Sequence, residues 1–277
     1  MKRSVHAASA WLVPFLLPVA LACGSTGVGN PVTGELSLAI VSDDDEVGAA
    51  QPAPELSLDD GAANALAPDG APPSEPLPRG ALQRAVLVLG SVRWLPCDVA
   101  AEVVTQSGPF VVDLLAGETR PALPAFQVPE GGVCGFDAPL APGRSAEFFG
   151  RSLLFTGVRA DGVRFVLFAN MRATLRVRAA RGQVWHVNDE QDRTLFWAMR
   201  PRRWAGAQEL ANEDPSDAGG QRTLVIDADR HPLLWARIRA RLASQSAMFF
   251  DQDDNGVLDA ADRSAGEVGT GTTDPED

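Results

Sequence analysis

Residues 152–171 read SLLFTGVRADGVRFVLFANM. Two runs in which apolar side chains alternate with polar or small ones flank Arg-Ala-Asp-Gly. In that linker Asp161-Gly162 is turn chemistry: glycine accepts a positive φ, and aspartate bonds nearby backbone amides. Successive side chains of a strand point to opposite faces, so each run can bury one face while the other stays wet. Two such runs joined by a short turn predict a β-hairpin.

The same pattern extends outward in both directions. GELSLAIVS (34–42), AVLVLGSVRWL (85–95), GPFVVDLLAG (108–117), ATLRVRA (173–179), TLFWAM (194–199) and QRTLVIDA (221–228) all read as strands, and Gly90 suits a bulge or bend in the second. PALPAFQVPEGGVCGFDAPL (121–140) reads as two short strands around a Glu-Gly-Gly turn. Helical spacing is confined to RRWAGAQELAN (202–212) and HPLLWARIRARLASQSAMFF (231–250). In the second, Leu234, Ile238, Leu242 and Phe249 repeat on one face, and Pro232 suits a first turn. Many short strands with few helices predict a mainly β chain: an antiparallel β-sandwich over 33–250 with a C-terminal helix running to Phe250.

The 277 residues are 45% hydrophobic, enough for a substantial core. The net charge of −12 is concentrated in the flanks. Residues 43–75 carry nine carboxylates and no basic residue, residues 251–277 carry nine and one arginine, and residues 76–250 hold 21 arginines against 17 carboxylates. Acidic flanks argue against nucleic-acid binding. The stretch from Asp43 to Pro78 is rich in Pro, Ala, Gly and acid and lacks apolar periodicity. It therefore predicts a disordered insert, since too little apolar surface is available to offset ordering entropy. Residues 263–277 predict a disordered acidic tail.

The N-terminus reads as an address. Lys2 and Arg3 precede AASAWLVPFLLPVALAC (7–23), whose apolar run is too short and too broken by proline to span a membrane. VALAC followed by Gly24 resembles the bacterial lipoprotein signal, in which the cysteine is lipidated and becomes the mature N-terminus. Ala22 fits that pattern, whereas Ala20 stands where leucine is favoured. The resemblance implies a signal peptide over 1–22, lipid attachment at Cys23, a tether over 23–32, and a place in the cell envelope, in the outer membrane of a Gram-negative bacterium. Removing Cys23 leaves Cys97 and Cys134, an even pair in an exported chain, which predicts a disulfide. A zinc site is the weaker reading, because neither cysteine has a second ligand nearby.

TGELSLAIVS (33–42), VLVLGSVRW (86–94), FVVDLLAG (110–117) and LPAFQVPEGGVCGFDAPL (123–140) together resemble uncharacterised prealbumin-like β-sandwich domains of bacterial lipoproteins. The resemblance implies a sandwich fold and carbohydrate binding, and it brings no catalytic residues.

The sharpest local pattern is DQDDNGVLDAAD (251–262). Counting from Asp251, oxygen side chains fall at positions 1 (Asp251), 3 (Asp253), 5 (Asn255), 9 (Asp259) and 12 (Asp262), with Gly256 at position 6 and the Val257 carbonyl at position 7. This is the spacing of an EF-hand calcium loop. Ca²⁺ takes six to eight hard oxygens, and a chain wraps one ion only if alternate residues turn inward and a glycine permits a sharp bend. Leu258, at position 8, is placed to face a core. Asp262 is one methylene shorter than the glutamate usual at position 12, which predicts weaker or more Mg²⁺-tolerant binding. The loop has no second copy in the chain, which points to a stabilising ion and away from a sensor.

Other constellations have a bland reading beside the sharp one. Arg172, Arg176 and Arg178 line one face of RATLRVRA, as a glycan contact or simply the wet face of a sheet. Trp94, Trp185, Trp197, Trp204 and Trp235 could stack sugars or fill the core. HVNDEQD (186–192) reads as a polar turn. The expectation is a non-enzymatic, calcium-binding, lipid-anchored module of the envelope, with a glycan or an envelope protein as partner. The rival is a hydrolase acting on envelope glycans.

Overall fold

The computed structural model describes residues 34–44, 76–78, 81–127, 132–186, 193–218 and 221–275, all within the unit Val32–Asp277. The predicted lipid attachment at Cys23, the signal peptide and the tether lie outside the described residues, as do residues 45–75. The described residues form fourteen strands: β1 Glu35–Ser42, β2 Leu82–Pro96, β3 Val104–Asp113, β4 Glu118–Arg120, β5 Phe126–Gln127, β6 Val133–Pro139, β7 Leu153–Val158, β8 Arg164–Ala169, β9 Ala173–Ala179, β10 Arg193–Met199, β11 Ser216–Ala218, β12 Gln221–Val225, β13 Ser246–Phe250 and β14 Gly269–Pro275. The helices are α1 Ala207–Ala211, α2 Pro232–Ser244 and α3 Ala260–Ser264. No helix among the described residues is long and apolar enough to cross a membrane.

The hairpin at 152–171 forms as expected. β7 and β8 pair antiparallel from Leu153↔Ala169 to Val158↔Arg164. The turn closes with Gly162 at φ +81°, and Asp161 Oδ1 accepts from the Val163 amide. β2 is the spine. It carries β3 along one edge, and β7 and β6 at the two ends of the other. Its register with β3 shifts between Leu89 and Ser91, at Gly90, where a Cβ would come 2.9 Å from that of Ala141.

The protein is mainly β, but it is not a purely antiparallel sandwich. The strands join one curled sheet in the order β11-β12-β8-β7-β2-β6-β9-β14-β13-β10-β1-β5, with β3 and β4 on a branch from β2. Two of its pairings, β1 with β10 and β12 with β8, are parallel. Alternation in a sequence reports which face is buried; it carries no information about a partner's direction. For the same reason β5 and β6, read as neighbours around a turn, pair elsewhere: β5 with β1, and β6 with β2 and β9.

β2 and β10 are apolar on both faces, and the outer side of each belongs to a separate cluster. In β2, Ala85, Leu87 and Leu89 face the main core, while Val86 and Val88 pack with Phe148 and Leu154. In β10, Leu195, Trp197 and Met199 face the main core, while Phe196 and Ala198 join Ala247 and Phe249 of β13 on the outside. α2 seals the main core with Leu234, Ile238 and Leu242. The disulfide Cys97–Cys134 is present, with Cα atoms 5.0 Å apart, and crosslinks the segment after β2 to β6 beside the pair Pro96↔Val133.

Three expectations from the sequence are corrected. The C-terminal helix ends at Ser244, and residues 246–250 form β13, so a strand and not a helix enters the acidic loop. Phe249 continues the helical spacing of Leu234, Ile238 and Leu242, yet a period-two alternation also fits SAMFF. The vacancy between β10 and β14 decides in favour of the strand. Second, the tail is ordered to Pro275: β14 pairs with β9 along seven positions, Gly269↔Ala179 to Pro275↔Ala173. Its glycines and threonines lack an apolar signal because the backbone ladder holds it. Third, the acidic stretch is folded at both ends. Asp43 and Asp44 are buried, as is Leu77, whose amide donates to the Arg202 carbonyl.

Candidate metal centre

The loop 251–262 is the connection of a β-hairpin. The Asp251 amide donates to the Thr194 carbonyl and so extends the β13–β10 ladder into the first loop position. After α3, the Val268 amide donates to the Met248 carbonyl, and β14 begins. Both ends of the loop are thus tied to adjacent strands. Within it, Asp254 (φ 56°) and Gly256 (φ +72°) take the left-handed conformation that folds the chain back on itself. Glycine adopts that conformation without a Cβ penalty.

The spacing read from sequence converges in space. Oxygens of Asp251, Asp253 and Asp262, positions 1, 3 and 12, all lie within 4.8 Å of one another. Asn255 Nδ2 donates to Asp253 Oδ2 (2.9 Å) and to Asp259 Oδ2 (3.1 Å), so position 5 links the carboxylates of positions 3 and 9. Asn255 Oδ1 accepts from the Val257 amide (2.6 Å), and the Val257 side chain is exposed.

The carboxylates also organise the loop backbone. Asp251 Oδ2 accepts from the Gly256 amide (2.8 Å), and Asp251 Oδ1 from the Asn255 amide (3.3 Å). Asp262 is fully buried; Oδ1 accepts from the Gln252 amide (2.7 Å) and Oδ2 from the Asp259 amide (3.0 Å). Asp259 caps α3 by accepting from the Ala261 amide (2.7 Å). That bond, with help from Asn255, the Asp262 amide and Arg263, holds the Asp259 carboxyl below the usual carboxylate range. A carboxylate oxygen has two lone pairs, so each amide bond leaves one for a cation. Like charges 4.8 Å apart repel by about 3.5 kcal/mol at an effective dielectric near 20. A divalent cation among these oxygens would reverse that sign. The donor set is all oxygen, as hard Ca²⁺ or Mg²⁺ requires and softer metals do not.

Leu258, at position 8, packs on the outer cluster of Phe196, Ala198, Ala247 and Phe249, as its place in the loop predicts. The residue after Asp262 makes a contact that sequence reasoning missed. Arg263 Nε and Nη2 donate to Asp43 Oδ1 (3.2 and 2.9 Å), while Arg200 Nε donates to Asp43 Oδ2 (3.0 Å). The Asp43 side chain is fully buried. Beside it, both oxygens of Asp44 accept from the Arg202 amide (3.1 and 3.2 Å), Oδ2 accepts also from the Ser42 hydroxyl (3.4 Å), and burial pushes the pKa up to about 6. No local signal marks these partners, because 157 to 220 residues separate them from Asp43.

The other constellations resolve to structure. Arg176 pairs with Asp274 of β14 (2.6 Å) and Arg178 with Asp137 of β6 (2.9 Å), so two of the three arginines make cross-strand pairs, while Arg172 precedes β9 and is exposed. Trp94, Trp185, Trp197 and Trp204 are fully buried, and Trp235 packs against the core. The four buried rings fill the interior. His186 is exposed, and residues 187–192 of the polar turn lie outside the described residues. A depression of about 410 Å³ at the β7–β8 turn is lined by Asp161, Gly162, Val163, Arg164 and Arg222. Its one carboxylate is bound by Arg159 (2.7 Å). Compared with protein-family models, with curated proteins and with solved structures, the chain matches none of them.

Proposed function

We propose that the protein binds one Ca²⁺ ion at Asp251, Asp253, Asn255, Val257, Asp259 and Asp262, and works as a lipid-anchored binding or structural module of the cell envelope. One observation carries the metal reading: positions 1, 3 and 12 of an EF-hand-type spacing bring carboxylate oxygens within 4.8 Å of one another around a loop bent at Gly256. The loop joins two paired strands and packs Leu258 on the body, so the ion is a brace for a β-hairpin more than a switch between helices. The surrounding medium of an exported protein holds enough calcium for a site of modest affinity, in the range of about 10⁻⁴ to 10⁻³ M known for extracellular modules. The envelope assignment rests on the N-terminal sequence, with Cys23 as the anchor. Carbohydrate binding remains the partner class suggested by the resemblance to prealbumin-like domains, and a glycan array read with and without Ca²⁺ addresses it. The rival hydrolase reading requires a facing carboxylate pair in a cleft; the depression at the β7–β8 turn offers one arginine-bound carboxylate.

Calorimetric titration of the mature protein tests the metal reading. Wild type should give a one-site isotherm and a melting temperature that rises with Ca²⁺, because a ligand bound only by the folded state stabilises it by mass action, about 1.4 kcal/mol at tenfold over Kd. Asp251→Ala should abolish both effects. Absence of binding heat and of any melting shift at millimolar Ca²⁺ would reduce the loop to an acidic turn.

A further inference from the structure

The acidic loop, the outer apolar cluster and the buried Asp43 are separate features of the fold, and one short segment touches all three. Leu258 lies on the cluster of Phe196, Ala198, Ala247 and Phe249. Asp262, the twelfth loop position, and Arg263, which grips Asp43, are consecutive residues of α3. α3 has five residues, Ala260–Ser264, and is held through its Asp259 cap, the buried Asp262 and the Arg263 contact to Asp43.

The geometry points to a metal-operated latch: an ion at 251–262 holds α3 down, and α3 in turn holds Leu258 on the outer cluster and Arg263 on Asp43. This rests on the reading that the loop binds calcium. Without the ion, Asp251, Asp253 and Asp262 repel at close range. Asp253 is exposed and screened by water, whereas Asp262 is fully buried, so its uncompensated charge is the costliest of the three and relief comes from Asp262 moving toward solvent. Moving Asp262 drags Arg263 with it. Asp43 then keeps Arg200 and loses its second guanidinium, and Phe196 and Phe249 lose their cover. Asp43 stands where the chain leaves β1 for the acidic stretch 45–75, so the ion governs how firmly that departure point is held.

Hydrogen exchange of the full mature chain, compared in millimolar Ca²⁺ and in chelator, reads the latch. Chelation should speed exchange about tenfold not only within 252–262 but also at Asp43, whose amide is bonded to the Met199 carbonyl. A change confined to the loop overturns the latch while leaving calcium binding intact. The coupling must also run in reverse. Arg263→Ala, which removes no metal ligand, should weaken Ca²⁺ binding about fivefold or more, and Arg263→Lys, which keeps one prong of charge, should weaken it less. Wild-type affinity in Arg263→Ala, with an unchanged circular dichroism spectrum, overturns the proposal. No binding heat in the wild type overturns it together with the reading beneath it.

Discussion

Arg263 and Asp43 are 220 residues apart in sequence and share two hydrogen bonds, Nε at 3.2 Å and Nη2 at 2.9 Å from one carboxylate oxygen. Arg200 holds the other oxygen and reaches Glu267 at 3.7 Å, so the ends of β1 and β10 and the segment after the acidic loop meet at one buried charge. Asp43→Ala should destabilise the fold by about 2–3 kcal/mol, somewhat below the loss for a fully buried pair because both arginine side chains keep 22% of their surface in water. Urea unfolding measures this. A change within a few tenths of a kcal/mol would show that the cluster contributes nothing to stability.

Asp44 gives the fold a pH dependence of the less common sign. Burial raises its folded-state pKa to about 6 from the ordinary 3.8, so the folded protein holds the proton more tightly than the unfolded chain. Its contribution is most favourable below about pH 4 and is lost as pH rises through about 6. The swing is about 3 kcal/mol at 1.36 kcal/mol per unit. Relative to wild type, Asp44→Asn should therefore gain about that much stability between pH 4 and pH 7, since asparagine does not titrate and still accepts from the Arg202 amide. A constant difference across that range would refute it.

The Cys97–Cys134 bond closes a loop of 37 residues' separation. In the chain-entropy model that stabilises the fold by about 4 kcal/mol. The double Cys→Ser variant should lose most of this in denaturant, and mass mapping without reductant should recover one linked peptide pair. Two free thiols in protein taken from the envelope would contradict the assignment.

Anchoring through Cys23 predicts that Cys23→Ala abolishes incorporation of a palmitate analogue during growth. Equal label on both proteins would sink the lipoprotein reading.

The hairpin at 153–169, the bulge at Gly90, the cysteine pair and the inward convergence of Asp251, Asp253 and Asp262 were all legible in the sequence. Each depends on residues close together in the chain, or on counting what remains when one cysteine is assigned elsewhere. A turn type, a ligand spacing and a period-two alternation are local properties, and local chemistry is enough to specify them. The tertiary structure alone decided which strand lies beside which. β1 runs parallel to β10, β13 takes residues that helical spacing also fitted, and β14 is mostly glycine and threonine with no apolar signal. Backbone hydrogen bonding is the same for every residue type except proline, so a strand recruited by a vacant edge leaves no mark in its own side chains. The burial of Asp43 between Arg200 and Arg263 belongs to the same class: only the folded sheet brings those three charges together and excludes water from the Asp43 carboxylate.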